Sequence, residues 1–306
     1  MYEENHIQIK QKDGYITILS HLYSIKKPKA SLLILHGMAE HHNRYQAFAE
    51  YLVNLGIDVF YYDHRGHGLD KKLHELGYIA PDKGYQLVID DVISICEYID
   101  HHNRSSKFFL MGHSMGSLIA RNVIQKYDKF NGIILSGTTH PARLMTSAGI
   151  LLSSAIKKFK GPKHISPYMN NLLFGSKKYT KLSTRTAFDW LSRSNPVVGA
   201  YLHDPYCGFI CTVSFYNDLI KLSAHAGKKK LIRQTKRELP IYLTSGEQDP
   251  VGGYGKEVRK FHQILKKLGF SNITIKLYPE CRHELLNELN NKEVYSDLHQ
   301  WISKRI

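Results

Sequence analysis

KFFLM (107–111), GHSMG (112–116) and SLIARNVIQKY (117–127) follow one another without a gap, and they read as strand, tight turn and helix. The bare G-x-S-x-G pattern turns up by chance in roughly one chain of this length in ten. The setting is what gives it meaning. A strand that breaks straight into a helix through Ser114 is the arrangement of a nucleophile elbow. Such a turn forces the serine into a strained backbone conformation. Glycines two before and two after are needed because any side chain there would collide with the neighbouring backbone.

The same alternation continues on both sides. SLLIL (31–35) is a short apolar run, Tyr45 to Leu55 has helical spacing, and IDVFYY (57–62) is a strand again. Leu87, Val88, Val92, Ile95 and Ile99 share one face of a helix, and Gly132 to Leu135 is a strand. The pattern breaks at Thr138 and resumes at Leu239. There PIYLTSG (240–246) reads as a strand, followed by a helix from Lys256 to Leu268, a strand from Ile273 to Tyr278 and a last helix near Val294 to Ile306. Strands and helices joined by short links predict an α/β fold whose mostly parallel sheet is covered on both faces. Ahead of it, His6 to Gln11 and Tyr15 to Ile25 flank Asp13-Gly14 as an N-terminal hairpin.

Between the breaks lie about a hundred residues without convincing strands, read as a mostly helical insertion over the C-terminal edge of the sheet. The domains are thus residues 1–140 with 238–306, carrying the sheet, and residues 141–237, forming a basic cap. The whole chain has 306 residues and a net charge of +15. From Pro141 to Arg237 there are 17 Lys and Arg against Asp189, Asp204 and Asp218, so this one segment holds nearly all the excess. With 42% hydrophobic and 23% charged residues, the composition excludes collagen, coiled coil and wholesale disorder. Two early glutamates, Glu3 and Glu4, argue against a signal peptide, and no apolar run nears the length of a membrane span. Cys96, Cys207, Cys211 and Cys281 form no C-x-x-C pair, which argues for a reducing cytoplasm and against zinc.

A serine hydroxyl needs a base to take its proton and an acid to orient that base. In this fold class the loop after the last strand carries the base, and LYPECRH (277–283) supplies His283. The acid follows the preceding strand, in GEQD (246–249); Asp249 is preferred, with Glu247 as the alternative. The order Ser114, Asp249, His283 is that of the α/β-hydrolases. The oxyanion donors are assigned to the backbone N–H of Met115, beside the nucleophile, and of Met38, in the loop leaving the first inner strand. Asp63-His64-Arg65-Gly66-His67-Gly68 invites reading as a metal or acid–base cluster. After a strand, its Asp, Arg and glycines fit a loop fixed by hydrogen bonds better.

HGMAEHHNRY (36–45), DHRGHG (63–68), GHSMG (112–116), SGEQDPV (245–251) and YPECRHELLNE (278–288) together resemble the monoacylglycerol lipase and lysophospholipase group of serine hydrolases, in its bacterial form. The resemblance spans both halves of the catalytic domain. It implies the α/β-hydrolase fold, Ser114, Asp249 and His283 as a triad, and Met38 and Met115 as the oxyanion donors, with no cofactor or metal. Ala39 departs from a frequent glycine, and Asp70 from a frequent serine after RGHG, which leaves the loop from Leu69 to Gly84 less defined. The insertion resembles the family's cap in position and size alone.

The resulting expectation is hydrolysis of carboxylic esters of single-chain lipids through an acyl-enzyme on Ser114. The alternatives are a small-substrate esterase or peptidase, and a binding protein that kept the fold without turnover. In the insertion, Leu144, Ala148, Leu151, Leu152, Ala155 and Phe159 form one helical stripe. It packs inside the cap or lines an acyl tunnel, or else, with KKFKGPKH (157–164) after it, lies on an anionic membrane surface as a peripheral contact. Nucleic acid is disfavoured, since no binding motif accompanies the charge.

Overall fold

The computed structural model describes residues 2–182 and 185–306. Its chain opens on the expected hairpin, β1 (Tyr2–Lys10) and β2 (Ile16–Ser24), paired antiparallel from Tyr2 with Ser24 to Lys10 with Ile16. β1 starts four residues before the apolar pattern does, because the polar stretch is held by backbone pairing and by Tyr23, whose hydroxyl donates to Glu3 at 2.6 Å. Gly14 takes φ 86° at the turn, a left-handed conformation that suits glycine.

β3 (Ala30–Leu35), α1 (Gln46–Val53), β4 (Ile57–Tyr62), α2 (Gly84–His102), β5 (Phe108–His113), α3 (Met115–Val123) and β6 (Gly132–Ser136) follow in strict alternation. These inner strands are buried along their whole length, which is why they read as continuous apolar runs. Successive residues still separate by face. Leu32 and Ile34 pack with Phe48 and Leu52 of α1, while Leu33 and Leu35 pack with Val92 and Ile95 of α2 and Ile119 of α3.

The insertion carries α4 (Arg143–Lys160), α5 (Pro167–Phe174), α6 (Lys177–Thr180), α7 (Asn195–His203), α8 (Val213–Ala226) and α9 (Lys229–Ile232). The sheet then resumes with β7 (Ile241–Gly246), α10 (Lys256–Lys267), β8 (Ile273–Tyr278) and α11 (Asn291–Ser303). The strand order is β1-β2-β4-β3-β5-β6-β7-β8, with β1, β2 and β4 paired antiparallel and the rest parallel. This is the α/β-hydrolase fold. Its parallel register sets Leu35 beside Gly112, His113 beside Ser136 and Gly246 beside Tyr278. The loops leaving β3, β5, β7 and β8 therefore meet at one edge, where open α/β sheets bind their ligands.

Five of the six residues of the α4 stripe face solvent, against the interior reading, while Leu152 packs on the core. The helix packs its small and polar face, with Thr146, Gly149 and Ser153, against α8, where Asn217 donates to the Ser153 hydroxyl at 2.8 Å. Leu144, Leu151 and Phe159 are left 82%, 75% and 85% exposed. Ile150, Leu152 and Ile156 also turn inward onto the core, so hydrogen bonding, close approach and this second apolar set together chose which side of α4 faces inward.

Candidate active site

Ser114 leaves β5 at φ 51° and ψ −117°, a conformation non-glycine residues rarely adopt. Backbone bonds hold it there: its N–H donates to Ser136 O at 2.9 Å, and its carbonyl accepts from the Ser117 hydroxyl at 2.6 Å. The flanking glycines are steric requirements. A Cβ on Gly112 would lie 2.3 Å from Gly116 O, and one on Gly116 would lie 2.1 Å from Leu35 O. Gly116→Ala is therefore expected to destabilise the protein by about 1–3 kcal/mol, since only backbone can yield. Urea unfolding at equilibrium checks it; an unchanged midpoint would mean the elbow is looser than these contacts imply.

His283 stands in the loop after β8, buried, with its Nδ1 2.9 Å from Asp249 Oδ2. Gly137, at φ 58°, makes room for it, because a Cβ there would come within 2.8 Å of His283 Cε1. Asp249 follows β7 and is fully buried, its Oδ2 also accepting from Ser245 Oγ at 2.8 Å and its Oδ1 from Val251 N–H at 2.8 Å. Burial works to raise this carboxyl, but His283 and these donors override it and hold it below the usual carboxylate range. An ionised Asp249 accepts the Nδ1 proton, which leaves Nε2 as the unprotonated nitrogen. At His283 the balance is similar: burial favours the neutral ring, and Asp249 outweighs it and raises the pKa. Glu247, the alternative acid, points to solvent, 3.5 Å from Arg259.

The two assigned oxyanion donors come from different elements. Met115 begins α3, next to Ser114. A Cβ on Gly37 would sit 3.2 Å from Ser114 Cβ, so the loop after β3 runs directly alongside the serine. In that loop Gly37 N–H donates to Glu40 Oε1 at 2.5 Å and Ala39 N–H to His67 Nε2 at 3.1 Å. Among the described residues, no protein acceptor takes the Met38 N–H between them. Ala39 holds φ 53°, a left-handed conformation that suits glycine better than alanine.

Two devices support this loop. The first is the DHRGHG segment, which does form the loop fixed by hydrogen bonds that its sequence suggests, and the second has no counterpart in the sequence patterns. His67 belongs to the DHRGHG segment, and its partners show what that segment does. Its Nδ1 donates to Arg65 O at 3.1 Å and its Nε2 accepts from Ala39, while burial pushes its pKa down to about 4 and keeps it neutral. Arg65 itself clamps Asp13 at 2.6 Å and Asp91 at 2.6 Å, tying the N-terminal hairpin to α2. The second device is Arg44, buried between Glu40 at 2.8 Å and Glu284 at 2.6 Å. Burial tends to raise both carboxyls; Arg44 reverses this at Glu284, while Glu40 stays above its ordinary value. Tyr45 OH donates to Glu40 at 2.8 Å, so the carboxylate that fixes Gly37 is itself fixed.

Ser114 and His283 open on one cavity of about 290 Å³, walled by Met38, Phe174, Phe188 and Trp190. The His283 ring lies between His113 and Trp190, with centroids 4.6 and 5.3 Å away. Burial holds His113 down to about 3, with His283 adding to the drop, so its ring packs as a neutral spacer. Among the described residues the side chains gathered closely enough to share a metal ion are His41, Asp204 and Cys207, and none of them lines this cavity.

The sequence profile of a hydrolase family described as Serine aminopeptidase, S33, matches residues 26–290. A monoglyceride lipase of Mus musculus is 26% identical over 283 residues, covering 91% of this chain and 84% of that protein. A monoacylglycerol lipase of Mycolicibacterium smegmatis is 24% identical, covering 90% and 88%. Among solved structures, a highly thermostable carboxyl esterase from Bacillus coagulans in complex with glycerol superposes with a TM-score of 0.89 over 98% of both chains, at 24% identity.

Proposed function

The chain belongs to the serine aminopeptidase S33 family of hydrolases, and from that premise we propose that it cleaves carboxylic esters of single-chain lipids, of monoacylglycerol or lysophospholipid type, through an acyl-enzyme on Ser114. The observation that carries this reading is a strained serine opening on an apolar, aromatic-walled cavity together with a histidine bonded to a buried aspartate. In it, Ser114 Oγ attacks the ester carbonyl while His283 Nε2 takes its proton. Asp249 holds the ring and stabilises the imidazolium that forms. The N–H groups of Met38 and Met115 stabilise the oxyanion, each worth about 3 kcal/mol at such positions. His283 then returns its proton to the leaving alcohol, and water, activated by the same nitrogen, releases the fatty acid.

The family's description raises peptide substrates as a second reading. An aminopeptidase needs a free carboxylate to bind the substrate's amino terminus. Glu40 and Glu284 do line the cavity, but Arg44, Tyr45 and the Gly37 N–H already occupy them. Ester hydrolysis is therefore favoured. Turnover of monoacylglycerols and of p-nitrophenyl esters, with none of aminoacyl p-nitroanilides, is the expected outcome; the reverse preference would sink the ester reading.

The raised pKa of His283 fixes the pH dependence. Only the neutral ring acts as base, and a raised pKa keeps the ring protonated to higher pH, so kcat/KM falls as pH drops, with its midpoint above about 6.5. A kcat/KM profile on a soluble ester checks this. A midpoint below 6 would show that Asp249 does not govern the base.

In this reading residues 141–237 act as a cap, and α4 brings it to an anionic lipid surface. No helix of the described residues is long and apolar enough to cross a membrane, but Leu144, Leu151 and Phe159 stand out from α4, and Lys158, Lys160 and Lys163 are exposed at its C-terminal end and just beyond it. An exposed apolar helix face that ends in lysines matches the chemistry of such a surface. Lys157 is excluded from that role because Asp82 holds it at 2.5 Å. Replacing Leu144, Leu151 and Phe159 by Ser is expected to weaken binding to phosphatidylglycerol vesicles by about 100-fold or more, leaving p-nitrophenyl butyrate hydrolysis within twofold. Concentration-dependent dimerisation without vesicle binding would instead assign this face to a second copy.

A further inference from the structure

The cysteine spacing argues against a zinc knuckle, yet the fold gathers one cysteine with ligands of other types. His41 comes from the loop after β3, while Asp204 and Cys207 come from the turn that ends α7. The candidate ligand atoms of the three lie within 4.8 Å of one another. The turn is pre-shaped: Cys207 N–H donates to Asp204 O at 3.0 Å, which sets residues i and i+3 side by side. Tyr206 N–H donates to Asp204 Oδ1 at 2.8 Å, which aims Oδ2 at His41 Nε2, 2.8 Å away. A hydrogen-bonded carboxylate of this kind is the usual support for a metal ligand.

We propose that His41, Asp204 and Cys207 form a binding site for a divalent transition metal of zinc type, which ties the insertion to the loop that carries Met38. Charge and composition both fit. An imidazole, a carboxylate and a thiolate are a zinc donor set, and the two anions balance a dication. Arg44, whose charge reaches Cys207, is already paired with Glu40 and Glu284. In a tetrahedral site the ligand atoms stand about 3.5 Å apart, so the His41–Asp204 contact opens slightly and Cys207 draws in, with side-chain movements under about 1 Å. Binding releases the Cys207 thiol proton and the proton shared by His41 and Asp204. Asp204 is 28% exposed, which gives the ion an entry path and leaves the fourth position to water. The site lies where the insertion already grips this loop, because Ala39 O accepts from both Tyr201 OH and Gly208 N–H at 2.9 Å. An ion there fastens the insertion beside the oxyanion loop without entering the cavity.

The test uses the full, untagged chain, stripped with chelator and kept reduced. Titration with Co²⁺ should give a thiolate-to-metal charge-transfer band at one ion per chain, and Zn²⁺ should displace the cobalt. Cys207→Ser should abolish the band and, like Asp204→Asn, weaken Zn²⁺ binding more than 10-fold. Thermal unfolding without metal confirms that each variant is folded; should Cys207→Ser fail to fold, Asp204→Asn and His41→Gln carry the same expectation. Absence of the band in the unaltered protein, or Zn²⁺ affinity unchanged in the folded variants, as scattered surface histidines would give, overturns the proposal.

Discussion

Ser114→Ala is expected to cut turnover of any ester on the order of 10⁶-fold, to the residue left by binding and the oxyanion donors alone. Its stability should stay close to that of the unaltered chain. The strain at φ 51° belongs to the backbone, and alanine, like serine, has a Cβ. No hydrogen bond from the Ser114 hydroxyl is needed to hold the turn, which rests on the bonds of its N–H and carbonyl to Ser136 and Ser117. Rates on p-nitrophenyl esters and a urea unfolding curve on the same sample separate the two effects. A variant that retains more than about a hundredth of the rate would remove Ser114 from the chemistry.

Asp249→Asn should cost on the order of 10⁴-fold in kcat, because an amide in place of the carboxylate stabilises the wrong tautomer of His283 and no longer stabilises its cation. The geometry makes a matched control available. Glu247, two residues earlier and facing Arg259 in solvent, should tolerate change to Gln with activity within about twofold. If Glu247→Gln lost activity while Asp249→Asn kept it, the acid would have been assigned to the wrong carboxylate.

What the sequence discloses here is what is local. The elbow is a five-residue pattern between a strand and a helix, and β3 to β6 betray themselves as short apolar runs because both faces are covered. Asp249 and His283 could be nominated because each follows a recognisable strand directly, and the fold brings the two within hydrogen-bonding distance. The pairings that shape the site are different in kind. Arg44 and Glu284 are 240 residues apart, and His41 and Asp204 are 163 apart; nothing in a periodic pattern couples such positions. The facing of α4 was hidden for another reason. An apolar stripe looks the same whether it meets a core or solvent, and here the inward side is set by the close approach at Gly149, the Asn217 bond to Ser153 and a second apolar set, Ile150, Leu152 and Ile156. Of the two departures from the family pattern, Ala39 accepts a left-handed φ at an energetic cost, while Asp70 lies at the surface paired with Lys71 at 2.7 Å. The loop that follows still forms a helical turn at Leu73–Glu75.

In the proposed function Ser114 is the nucleophile of a site built for single-chain acyl esters. A fluorophosphonate bearing one long alkyl chain, followed by peptide mapping with mass spectrometry, tests both halves together. A single adduct on Ser114, formed more slowly as monoacylglycerol is added, is the expected result. An unmodified Ser114, or labelling of Ser114 at a rate that monoacylglycerol does not change, would contradict it.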